Sequence, residues 1–285
     1  AYNKAIELGS IDADYAAFQK AISYGFVSKN ERKIQDLTGF IKSYPNSSYT
    51  DDAMYELGNT YVNENKVEDA VRAYDNLIAK FPQSSYVAKS ILRQGLAYYN
   101  NNQNEKALVK FKKVVAEFPN TEEALQAVET ARLIYIDLGQ VDAFAEWVKT
   151  LDFVEISSAE LDNDSYQAAE KQYMQNNVKL AINGFTNYIA KFPNGLHILK
   201  ANFYLAEMYF ADQLYNNAAQ YYENVVSRIR NEFTEQSLVR LSEIYIKDKN
   251  IEKAIAILKR IENEADFPQN KNYEQANLMK MYYEG

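Results

Sequence analysis

The chain has no cysteine, one histidine and one tryptophan among 285 residues. Without thiols there is no disulfide framework, no thiolate metal site and no cysteine nucleophile, a usage that suits an exported or a cytosolic protein equally. A single histidine cannot build a His-rich metal site. Proline (5) and glycine (9) are scarce, so few positions punctuate helical runs. No stretch reaches the roughly 18 uninterrupted apolar residues that a membrane-spanning helix requires. The net charge is −8 and the 31 Lys and Arg form no dense block. Phosphate contacts need clustered cations, so nucleic acid is not an expected partner. Neither a G-x-S-x-G elbow, a glycine-rich phosphate loop nor an EF-hand pattern occurs. The expectation is a non-enzyme without catalytic residues, cofactor or metal.

What is present is a ruler. Pro45, Pro82, Pro119 and Pro193 lie 37, 37 and 74 residues apart, each preceded by Tyr or Phe. A second row runs Tyr24, Tyr61, Tyr98, Tyr135, Gln172, Tyr209, Tyr245 and Tyr282, with a single 36-residue step. Ala70, Ala107, Ala181, Ala218 and Ala254 keep the same register, as do Leu37, Tyr74, Phe111, Val148, Phe185, Tyr222 and Leu258. Shared register across independent rows is the signature of a repeat array.

Within one repeat the spacing is helical. Met54, Leu57, Gly58 and Tyr61 form one apolar stripe, and Ala70, Tyr74, Leu77 and Phe81 a second. Each repeat is therefore a helical hairpin. The Asn-rich turns at 63–66, 100–102 and 175–177 are expected to cap the second helix, since Asn accepts from free helical N–H groups. Proline ends that second helix. The serines of P-N-S-S-Y (45–49) and P-Q-S-S-Y (82–86) are expected to cap the next first helix, with Tyr49 and Tyr86 packing back over the joint. Gly58, Gly95 and the alanine row allow close helix approach.

These spacings predict an all-α fold, a single α-α superhelix over 1–285 of about seven hairpins. Partial helices are expected at Tyr2–Leu8 and Tyr273–Tyr283. Together with a start at Ala1 lacking an initiator Met, they read as a segment of a longer array. Repeats are regular over 1–119 and continue over 157–285; between them, 120–156 keeps the register but loses its residues. Arg132 stands in the small slot, Phe144 in the alanine slot and Ile156 in the proline slot. Eleven acids against Arg132 and Lys149 give residues 120–165 a net charge of −9. Two readings follow: a degenerate repeat with a solvated acidic face, or a contact surface around Trp147, Glu146 and Asp142. His197 occupies the hinge slot of Tyr49 and Tyr86, which points to a structural role. Of the tyrosine doublets, Tyr99, Tyr221 and Tyr283 fall outside the repeat slots and are candidates for exposure.

Leu57-Gly58-x-x-Tyr61, Ala70, Tyr74 and Pro82 resemble the tetratricopeptide repeat, lengthened to 37 residues. That resemblance implies a tetratricopeptide solenoid whose first helices line a concave face that holds a protein or an extended peptide. Carried over position by position, the groove residues are Tyr55, Asn59 and Val62, then Lys89, Leu92, Arg93, Leu96 and Tyr99, then Tyr166 and Glu170, then Phe203, Glu207 and Phe210. The carboxylate clamp known in some members is not matched: Lys89 and Arg93 fit its last part, but Phe18, Ile22 and Glu56 occupy the positions before. The hinges and repeat length also resemble envelope proteins of the YbgF and BamD type and the long periplasmic tetratricopeptide proteins of Bacteroidetes. They imply a periplasmic scaffold in outer-membrane assembly, near a membrane through a larger chain or its partners. The alternative is a glycan-binding module like the SusD-type lipoproteins, although those carry long inter-helix insertions that this chain lacks.

Overall fold

The computed structural model describes residues 2–7 and 12–284, with the side chains of 5 and 282–284 excepted. Leu8 and the side chain of Tyr283 thus lie outside the described residues. Sixteen helices and no strand are found among the described residues. The chain divides into two compact units, 1–134 with 151–154, and 135–150 with 155–285.

The first unit holds α1 (Tyr2–Glu7), then hairpins α2 (Ala13–Gly25) with α3 (Asn30–Ser43), α4 (Thr50–Asn63) with α5 (Val67–Lys80), and α6 (Tyr86–Asn100) with α7 (Asn104–Glu117). Helix α8 (Glu122–Asp137) starts there, and its last turn belongs to the second unit. That unit continues with α9 (Val141–Val148), α10 (Ser158–Met174) with α11 (Val178–Lys191), α12 (Ile198–Ala211) with α13 (Tyr215–Val226), α14 (Thr234–Lys247) with α15 (Ile251–Glu264), and α16 (Pro268–Glu284). Counting α8 with α9, the hairpins number seven, and the fold is that of tetratricopeptide-type repeats. Helix α16 begins at Pro268, five residues earlier than the apolar spacing suggested, because proline is well suited to a first helical position.

Two rows of the ruler lie in the core. Ala70, Ala107, Ala181, Ala218 and Ala254 are all fully buried, as are Leu37, Tyr74, Phe111, Phe185, Tyr222 and Leu258. In two hairpins the large residue faces the small slot of the partner helix: a Cβ on Gly58 would collide with the Tyr74 ring, and one on Gly95 would come within 2.5 Å of Phe111. In the degenerate repeat Phe144 is buried in the alanine slot and stacks obliquely on Tyr135 at 5.7 Å. Its second helix, α9, has 8 residues where α5, α7 and α11 each have 14.

First helices end alike. Ser28, Asn65, Asn102, Gly139, Asn176, Gln213 and Lys249 all have φ between 54° and 68°, and they fall on the ruler. The N–H of the following residue donates to the carbonyl five residues back, as from Lys66 to Tyr61 and from Asn177 to Gln172, which is the Schellman closure. The turn asparagines thus serve as left-handed terminators of the first helix, where Asn is tolerated. They are not the caps expected of them: at α5, α7 and α11 no side chain caps the helix, and of the hairpin turns only the one at Asn250 does so, by accepting from the Lys253 N–H.

The hinge serines also differ from expectation. The Ser47 and Ser84 hydroxyls accept from the N–H two residues on, Tyr49 and Tyr86, and donate to Asp14 and Asp51 at the start of the preceding first helix, both at 2.6 Å. At equivalent places Asp162 accepts from the Leu196 N–H (2.8 Å) and Glu235 accepts from those of Asp266 and Phe267 (2.9 and 3.1 Å). The hinge aromatics do pack back over the joint. Tyr49 stacks on Phe18 (5.6 Å), Tyr86 on Tyr55 (4.6 Å), His197 on Tyr166 (4.2 Å) and Phe233 on Phe203 (4.6 Å).

Candidate interaction surfaces

In the first unit, α4 and α6 carry the expected groove residues. Tyr55 is half-buried beneath Tyr86, and the Asn59 side-chain oxygen accepts from the Tyr74 hydroxyl at 2.7 Å. Val62 packs against Val67 and Val71. Lys89 and Arg93 are exposed, while Leu96 and Tyr99 are half-buried. Leu92 is buried and offers no surface to a ligand, because it fills the slot that Tyr55 and Phe18 occupy in earlier hairpins.

In the second unit, Tyr166 and Phe203 are likewise buried beneath their hinge rings. These two and Leu92 drop out of any contact surface. Glu170 accepts from the Tyr166 hydroxyl at 2.7 Å. Glu207 accepts from Tyr222, and its carboxylate lies 3.7 Å from Arg240 Nε. Arg240 also donates to Glu243 at 3.1 Å and sits with its guanidinium 4.4 Å over the Phe210 ring. This cation–π contact joined to an ion pair escaped the sequence reading. The signal was available: past the 36-residue step, Arg240 takes the ruler position of Arg93.

The phenols are held neutral. The hydrogen bond to Asp52, aided by burial, pushes Tyr86 up to about 12, and burial with Glu170 pushes Tyr166 higher still. His197 Nε2 lies 3.1 Å from Asn163 Oδ1 and its ring is stacked, as a hinge aromatic. Tyr99 and Tyr221 are half-buried instead of exposed, Tyr221 stacking on Tyr209 at 5.8 Å. In the degenerate repeat, half-buried Trp147 packs on Phe144 (6.1 Å) and Tyr135 (6.4 Å). Glu146 is paired with Lys149 at 2.6 Å and Asp142 with Lys191. Among the described residues no cluster of acids or histidine is arranged to hold a metal, and no helix is long and apolar enough to cross a membrane.

Residues 51–128 match a family of outer membrane lipoproteins, and residues 235–262 match a tetratricopeptide repeat family. No curated protein sequence matches the chain. Similar solved structures include a tetratricopeptide repeat protein from Parabacteroides merdae (15% identity, 92% of this chain and 97% of that one, TM-score 0.44). The yeast Sti1 TPR2AB domain complex is 12% identical over 96% and 98%, with a TM-score of 0.45. The C-terminal part of a repeat protein from Cytophaga hutchinsonii is 13% identical over 90% and 98%, with a TM-score of 0.40. With its hairpins in one register and a tetratricopeptide repeat matched over 235–262, the chain has a fold of tetratricopeptide-type repeats. In part it is also similar to the outer membrane lipoproteins.

Proposed function

We propose that the protein is a non-catalytic scaffold of the cell envelope that holds a partner protein, or an extended segment of one, along its first helices. The observation that carries this reading is the preset state of the polar side chains there. Asn59 and Glu207 are each fixed by a core tyrosine on the partner helix of the hairpin, and Arg240 is clamped between Phe210 and two glutamates. Groups already ordered lose little conformational freedom on binding. The proposed contact residues are Tyr55, Asn59, Val62, Lys89, Arg93, Leu96 and Tyr99 in the first unit and Glu170, Glu207 and Phe210, joined by Arg240, in the second. The outer membrane lipoprotein match over 51–128 supports a periplasmic setting beside the outer membrane.

Photo-crosslinking from Arg93 and Phe210 in intact cells tests both parts. The expected result is one envelope protein captured from both positions and lost when Arg240 is replaced by Ala. Capture of cytosolic proteins alone would overturn the location, and capture from neither position would overturn the face.

A further inference from the structure

We infer that the second unit carries a separate peptide-binding cleft, made by the short second helix of the degenerate repeat and independent of the first-helix surface. Helix α9 stops after two turns, and a cleft of about 220 Å³ is lined by the 138–142 turn, α10 and α11. The floor is small-residue backbone. Ala168 and Ala169 are buried, and Gly184 lies so close to Ala169 that a Cβ there would come within 2.8 Å of the alanine's own. One wall is Leu180, Asn183 and Asn187 of α11, all exposed and spaced at successive turns. Leu138, 43% exposed, faces the cleft from the other side.

Three features define the ligand. The side-chain amides of Asn183 and Asn187 bond no other described group, and each offers both a donor and an acceptor. Four residues along a helix rise about 6 Å, close to the roughly 6.6 Å that two residues of extended chain advance. Two such amides therefore match alternate peptide groups of a strand. The charges cancel, since Lys191 is paired with Asp142 at the cleft's end, which favours an uncharged segment. The volume equals that of about seven waters and is below the usual small-molecule pocket. It suits a short stretch of chain with a small apolar side chain set between the exposed Leu138 and Leu180. Tyr188, the sole ring in the lining, is buried with its hydroxyl bound to Asp162 (2.5 Å), so no platform is offered to a sugar.

The test is a titration of the whole protein with N-acetyl-Ala-Val-Ala-amide, read on assigned Asn side-chain amide resonances, with maltotriose as a parallel arm. Saturable shifts at Asn183 and Asn187 at millimolar peptide are expected. With both replaced by Ala, which at exposed positions leaves the core intact, affinity should fall about tenfold, the scale of losing two hydrogen bonds. Absence of saturable shifts, shifts confined to α4, α6 and α12, undiminished binding by the double variant, or a response to maltotriose in place of peptide would each overturn the cleft.

Discussion

At the scale of single residues, the fold depends on two kinds of exception to ordinary side-chain rules. One is the missing Cβ at Gly58 and Gly95, where the facing ring occupies the space. Gly58→Ala should cost about 1–3 kcal/mol, the usual range for overpacking a full core, seen as a lowered midpoint in urea. The other is the left-handed residue that ends each first helix. Asn accepts that conformation at modest cost, whereas Lys does not. Lys249→Gly is therefore expected to stabilise the protein by about 1 kcal/mol, while Asn65→Gly should change the midpoint little. The sequence reading found these asparagines by position but gave them the wrong duty, because a cap and a left-handed terminator draw on the same residue type. Gln213 and Lys249 show the difference, since neither would be chosen as a cap and both keep φ positive.

At the scale of helices and hinges, buried rows were legible because burial and helical period leave a repeating mark, and the alanine row and the row through Tyr74 and Phe111 fall in the core. The hinge fastening was not. Ser84 and Asp51 are 33 residues apart and belong to different hairpins, so no local pattern links them. Charge also enters here with opposite signs. Burial alone would raise Glu235, but hydrogen bonds from Asn270 and from the Asp266 and Phe267 N–H groups hold it below 4.5. Its contribution is present at neutral pH and is lost as the pH falls through that lowered value. Glu274 of α16 is buried with one carboxylate oxygen unpartnered. Burial, with Glu262 adding, raises it above 4.5. The folded state then holds the proton more tightly than the unfolded chain, so docking of α16 weakens as the pH rises above about 4.5. Hydrogen exchange in α16 should quicken as the pH is raised from below 4.5 to neutrality, after correction for intrinsic rates, and Glu274→Gln should flatten that trend.

At the scale of the molecule, packing within each unit is chiefly between helices adjacent in sequence, so perturbations are expected to die out over a hairpin or two. Gly58→Ala should accelerate exchange in α3 to α6 and leave α14 and α15 unchanged; uniform acceleration would show a single cooperative block instead. The carboxylate that secures a hinge, at Asp14, Asp51, Asp162 and Glu235, has one further meaning. Because Asp51 fastens the bend at 84–86, the smallest piece that could be cut out and spliced elsewhere is not a helix pair bounded by its own turns. It runs from the opening acid of one hairpin through the aromatic of the next bend, and a graft trimmed at the proline would arrive with its joint unlatched.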